Sequence, residues 1–185
     1  MVTKESLIDG MLVQMTGMSG AGKSTLAKNV SKNLSIRGYK VEVIDGDVYR
    51  EKFCPDLGYS EKDRRESVNR LASIGEILVN HGVIVLMPVI NPYEDLRSEI
   101  KERVGKCMTA YVKCDIESLK ERDPKGLYAR AMLPDDNPDK IRNFTGIDSR
   151  YDEPLDPDIV LETDVESTSE CAERLLNYLL KELSL

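Results

Sequence analysis

A doubly wound parallel α/β sheet with helices on both faces follows from three features of this sequence. Short apolar runs alternate with amphipathic stretches of helical period along most of the chain. A glycine-rich turn, Gly17-Met18-Ser19-Gly20-Ala21-Gly22-Lys23-Ser24, stands between the first such pair. The run Val83-Ile84-Val85-Leu86-Met87 is apolar at every position, as a central strand covered on both faces must be. At 185 residues and 41% hydrophobic content, the chain is sized for one core and is expected to form a single domain over residues 1–185.

The elements follow in order. Leu12 to Thr16 reads as a buried strand, and beyond the glycine-rich turn Leu26, Ala27, Val30 and Leu34 share one face of a helix that ends near Gly38. Val41 to Asp45 is a second strand, which delivers Asp45-Gly46-Asp47 to its C-terminal end. Ser60 caps a long helix from Glu61 to Asn80, with Val68, Leu71, Ala72, Gly75, Leu78 and Val79 turned inward. After the apolar run come a helix over Tyr93 to Gly105, a strand over Met108 to Val112 and a short helix over Ile116 to Arg122. From Asp123 to Pro157 periodicity disappears among prolines, aspartates and glycines. A segment of that length in a compact domain is expected to be a mobile lid. Ile159 to Leu161 forms the last strand, and Cys171, Ala172, Leu175, Leu176 and Leu179 mark an amphipathic C-terminal helix.

Charge and composition exclude several functions. A net charge of -7 argues against general nucleic-acid binding, which needs a basic surface, so a polyanionic ligand must meet a local cation cluster. Arg50, Arg64, Arg65 and Arg70 form the obvious candidate, although such a run also suits a solvated helix face. Cys54, Cys107, Cys114 and Cys171 lack the close spacing of a zinc or dithiol motif and are expected to be reduced thiols without a function. No basic segment leads into an apolar run at the N-terminus, and no stretch is long enough to span a bilayer. A cytoplasmic protein with no membrane partner is the expectation.

The pattern G-x-x-x-x-G-K-S carries chemistry. Glycines let successive backbone N–H groups turn around phosphate oxygens while the next helix presents its positive end, which makes the fold P-loop NTPase-type. Gly17, Ser19, Gly20, Ala21, Gly22, Lys23, Ser24 and Thr25 are the expected ATP-binding residues. Lys23 reaches the β- and γ-phosphates, and the Ser24 hydroxyl joins a Mg²⁺ shell. No Asn-Lys-x-Asp or Thr-Lys-x-Asp stretch is present to read guanine, so size and a cationic lid favour a small-molecule kinase over a GTP switch.

Five blocks narrow the class: Thr16 to Thr25; Asp45-Gly46-Asp47 with Arg50; Leu57-Gly58-Tyr59-Ser60 with Asp63-Arg64; Arg122 to Tyr128; and Asn143-Phe144-Thr145-Gly146-Ile147-Asp148. In this order they resemble the adenylylsulfate kinase family, whose members phosphorylate the ribose 3′-hydroxyl of adenosine 5′-phosphosulfate with ATP, and the resemblance spans most of the chain. It implies Lys23 and Asp47 as catalytic residues, Asp47 orienting or deprotonating the attacking hydroxyl; a helix N-cap is the other reading of Asp47, and the two are compatible. It implies Asp47, Arg50, Tyr59, Arg64, Ser67, Ile90, Asn91, Lys125 and Phe144 on the acceptor side. Tyr59 and Phe144 match two rings that sandwich the acceptor's base. Phe144, in a polar lid, has no evident place in a core and is expected to stack. A homodimer is implied by the same analogy.

The chain departs from the family's pattern on the acceptor side. Asn91 stands where the family usually has a serine proposed as a phosphorylated intermediate; asparagine contributes only hydrogen bonds, so direct in-line transfer is expected. Glu94 replaces a common arginine, with Arg97 nearby as a candidate partner, and Ser67 and Asn69 replace an asparagine and an arginine. Between Tyr128 and Asn143 the lid is roughly five residues longer than usual. These changes admit two alternatives: a kinase of another nucleotide, such as cytidine diphosphoramidate in surface-polysaccharide modification, or a catalytically weak nucleotide-binding regulatory module.

Overall fold

The computed structural model describes residues 10–183, so the N-terminal stretch read above for a leader lies largely outside the described residues. Five strands, β1 (Met11–Thr16), β2 (Val41–Val43), β3 (Ile84–Pro88), β4 (Cys107–Lys113) and β5 (Ile159–Glu162), form one sheet in the order β2-β3-β1-β4-β5. Every pairing is parallel. Seven helices complete the described residues: α1 (Lys23–Ile36), α2 (Gly46–Phe53), α3 (Glu61–Val79), α4 (Glu94–Val104), α5 (Ile116–Arg122), α6 (Leu127–Ala131) and α7 (Thr168–Glu182). The doubly wound parallel sheet expected from the sequence is the observed architecture.

Alternation along the central strands divides the core. Val13 and Met15 of β1, with Ile84 and Leu86 of β3, face α1 and α7, where Leu26, Val30, Leu34, Leu175 and Leu179 are buried. Leu12, Val85 and Met87 face the other way, onto Val68, Leu71 and Val79 of α3 and Leu96 and Ile100 of α4. Each central strand therefore buries both faces, which is why β3 reads as an unbroken apolar run and β1 as a largely apolar one broken at Gln14. Close approach of α3 to the sheet depends on Gly75, where a Cβ would stand 3.1 Å from Leu12 Cδ1.

The expected Ser60 cap is present: its Oγ accepts from the Asp63 N–H at 3.2 Å. Leu78 is only half-buried, while Ser67 is turned inward. Two helices were not anticipated. α2 buries no residue and so carries no apolar stripe, and α6 has only five residues. The 123–157 segment is fastened at several points. Asp123 caps α6 by accepting from the N–H groups of Tyr128 (3.1 Å) and Ala129 (2.9 Å), and the Asp152 N–H donates to Pro92 O at 2.8 Å. Among the described residues no helix is long and apolar enough to cross a membrane.

Candidate active site

The glycine-rich turn leaves the C-terminal end of β1 and enters α1, the position in an open parallel sheet where ligands bind. Gly17, Gly20 and Gly22 all adopt positive φ, at 149°, 78° and 93°. A Cβ on Gly17 would lie 2.2 Å from Val112 O, so only glycine lets the loop cross β4 there. α1 has no side-chain cap, which leaves its first-turn N–H groups to meet an anion. Loop carbonyls are held by neighbouring donors. Tyr128 Oη donates to Ser19 O at 2.9 Å, and Thr163 Oγ1 donates to Ala21 O at 3.0 Å.

Lys23 is buried, and its Nζ donates to Gly17 O and Met18 O, each at 2.7 Å. Burial pulls its ammonium down to about 8, an effect opposed by the negative charge of Asp47. Both of its partners are neutral carbonyls, weaker acceptors for an ammonium than an anion such as a phosphate.

Beyond the loop lies a cleft of about 280 Å³. Ser19, Gly20, Gly22, Lys23, Ser24 and Thr25 line one end, and Asp47, Arg50, Tyr59, Arg64, Ser67, Ile90, Asn91 and Lys125 line the rest. Nearly every residue expected from the sequence is thus brought to one cavity. Asp45, Gly46, Val68, Leu71, Pro88, Val89, Pro92 and Pro124 also line it and were not among the expected binding residues. Gly17 and Ala21, also expected among the ATP-binding residues, are buried and do not line the cleft.

Asp45, not Asp47, is the N-cap of α2: its Oδ1 accepts from the Asp47 N–H at 3.0 Å. The Asp47 carboxylate is therefore spared capping and is ion-paired with Lys125 across the cleft mouth. Arg50 donates to Gly58 O and lies 4.6 Å from the Tyr59 ring centroid. Arg64 Nε donates to Tyr59 O at 3.1 Å, and Arg64 Nη2 donates to Asn143 O in the lid at 2.5 Å. The four-arginine run divides here. Arg65 pairs with Glu61 and Asp95, and Arg70 pairs with Asp56 and Glu66, on the outer surface of α3 away from the cleft.

Phe144, expected to have no place in a core, has one. It is 8% exposed, belongs to the core on the α1 and α7 side, and meets Tyr128 edge-on with ring centroids 4.9 Å apart. Its packing is accounted for without a ligand, and it does not line the cleft, whereas Tyr59 is exposed there. Glu94 is settled as well. Its Oε2 accepts from Arg97 Nη2 at 2.6 Å and Nε at 3.0 Å, so its charge is directed at a buried guanidinium and not into the cleft.

A phosphate-cradling loop with a buried lysine, faced by a carboxylate and arginines under a lid, defines a P-loop phosphotransferase acting on a hydroxyl group, with ATP as co-substrate. The particular family is shown by comparison: the chain belongs to the adenylylsulphate kinase family, whose model matches residues 9–162. An adenylyl-sulfate kinase of Synechococcus sp. (strain JA-3-3Ab) is 42% identical over 172 residues, covering 92% of this chain and 94% of that protein. One from Microcystis aeruginosa is 38% identical over 170 residues, covering 92% and 91%. The structure of the Mycobacterium tuberculosis APS kinase CysC in complex with AMPPNP and APS superposes with a TM-score of 0.85 at 35% identity, covering 92% of this chain and 98% of that one.

Proposed function

We propose that this protein transfers the γ-phosphoryl group of ATP to the ribose 3′-hydroxyl of adenosine 5′-phosphosulfate. The observation that carries the reading is the convergence of Lys23 and Ser24 with Asp47, Arg50, Arg64 and Lys125 on one cleft in a chain of this family. The hydroxyl oxygen attacks the γ-phosphorus as the bond to the β–γ bridging oxygen breaks; ADP leaves, and the hydroxyl proton passes to the Asp47 carboxylate. Lys23 offsets charge on the transferred group. Arg50, Arg64 and Lys125 hold the acceptor's phosphosulfate, and Tyr59 offers a ring face to its base. Ser24, Asp45 and Asp47 bring hard oxygen donors to the same cleft, a set that fits Mg²⁺. When bound there, the ion supplies charge neutralisation at the β- and γ-oxygens.

The pairing of Glu94 with Arg97 favours this acceptor over another nucleotide, because the largest charge change relative to the family's pattern does not reach the acceptor pocket. Transfer is direct, since the Asn91 carboxamide cannot carry a phosphoester. The 123–157 segment closes over the reactants and excludes water. A cytoplasmic setting and a homodimer belong to the same reading, by analogy with the family. The test is product analysis by phosphorus NMR after incubation with ATP, Mg²⁺ and adenosine 5′-phosphosulfate. A new 3′-phosphomonoester that is lost in Lys23→Ala supports the assignment; its absence, or its persistence in Lys23→Ala, contradicts it.

A further inference from the structure

Gln14 is a polar residue in the middle of the central strand, 1% exposed among Leu12, Val13 and Met15. Its Nε2 donates to Arg97 O at 3.1 Å and to Cys107 Sγ at 3.4 Å, which fixes the carboxamide because a carbonyl only accepts. Gln14 Oε1 is thereby turned to Asn91, whose Nδ2 donates to it at 3.2 Å. With one Nδ2 hydrogen committed to Gln14, the Asn91 carboxamide is held in this orientation and is not free to flip. Its Oδ1 is left facing the other way, buried and without a hydrogen-bond partner.

The rest of the neighbourhood holds Asn91 in this pose. Its backbone stands at a φ of 34°, a conformation asparagine tolerates better than most residues. Arg97 Nη1 donates to Asn91 O at 2.6 Å, and Thr16 Oγ1 donates to Ile90 O at 2.6 Å. Asn91 lies in the wall of the acceptor side of the cleft, beside Ile90 and Pro92. A buried acceptor without a donor costs free energy unless something supplies one, and the cleft is where a donor can arrive.

We propose that Gln14 is a positioning residue for the acceptor site: it orients the Asn91 carboxamide so that Oδ1 accepts a hydrogen bond from an N–H or O–H group of the bound acceptor nucleotide. This rests on the reading of the cleft as a nucleotide-acceptor site. Asn91 supplies the selectivity, because an acceptor lacking the donor leaves Oδ1 unpaired, and Gln14 sets which end of the amide is shown.

Two measurements test it. The first needs no turnover. In the wild-type protein the side-chain amide protons of Asn91 exchange slowly by NMR, and in Gln14→Leu or Gln14→Met that protection is lost; fast exchange in the wild type overturns the proposal. The second uses whichever nucleotide the wild type phosphorylates. Gln14→Leu raises the KM for that acceptor about five- to tenfold and leaves the KM for ATP within about twofold. In an Asn91→Ala background the same Gln14 change has no further effect on the acceptor KM. Equal changes in both KM values, or additive losses in the double variant, show a merely structural Gln14 and overturn it. Slow Asn91 exchange in a protein that does not turn over adenosine 5′-phosphosulfate counts against that substrate and not against the Gln14–Asn91 bond.

Discussion

Lys125, at the start of the lid, is ion-paired with Asp47, at the first turn of α2, across the mouth of the cleft. Both side chains are more than half exposed, so the pair contributes little to stability. In the mechanism proposed above, an anionic acceptor would take the lysine and free the carboxylate for a hydroxyl.

Asp47→Asn keeps the shape and removes the proton acceptor. At saturating ATP and acceptor its kcat is expected to fall about 10²- to 10⁴-fold. Lys125→Met, by contrast, raises the acceptor KM with kcat within about threefold. Steady-state kinetics of both variants check this, and a near-normal kcat for Asp47→Asn places the base elsewhere.

Lys23 gives a pH dependence with a definite sign. Its folded-state value of about 8 lies below the ordinary 10.5, so the folded protein binds fewer protons than the unfolded chain between those values. The cost of burying its charge is therefore fully present below about pH 8 and is relieved as pH rises toward 10.5. A phosphate needs the charged form. ATP affinity in the wild type is expected to weaken about fivefold between pH 8 and 9, while Lys23→Arg stays flat, as measured by calorimetric titration.

Glu94→Ala leaves the Arg97 guanidinium, 2% exposed, without its counter-charge. Breaking such a pair costs about 2–4 kcal/mol, at the lower end because Glu94 is partly exposed. Glu94→Arg, the residue common in the family, sets two guanidinium groups together and costs more than Glu94→Ala. Urea unfolding midpoints rank the two.

Phe144→Ala removes a core ring and is expected to destabilise by about 3–5 kcal/mol, while Phe144→Leu costs less and keeps the acceptor KM within about twofold. A large rise in acceptor KM for Phe144→Leu at unchanged stability would restore the stacking role read from the sequence.

These residues also mark what the sequence made legible. Central strands buried on both faces read as largely apolar runs, and the phosphate loop is local, so both are written contiguously. α2 and α6 are not, because one buries nothing and the other is a single turn or so. Phe144 misled because composition describes its neighbours along the chain, whereas the lid folds it back onto Tyr128. The Gln14–Asn91 bond joins positions 77 residues apart, and no spacing rule reaches that far. Arg64 and Arg65 differ in fate for a simpler reason: successive residues on a helix point about 100° apart, so only one of the two reaches the cleft.

The central claim is met most directly by coupled ADP release with adenosine 5′-phosphosulfate, with cytidine diphosphoramidate and with no acceptor. Turnover that depends on adenosine 5′-phosphosulfate and stays at the no-acceptor level with cytidine diphosphoramidate is the predicted result. Faster turnover with cytidine diphosphoramidate, or ADP release that needs no acceptor, contradicts it.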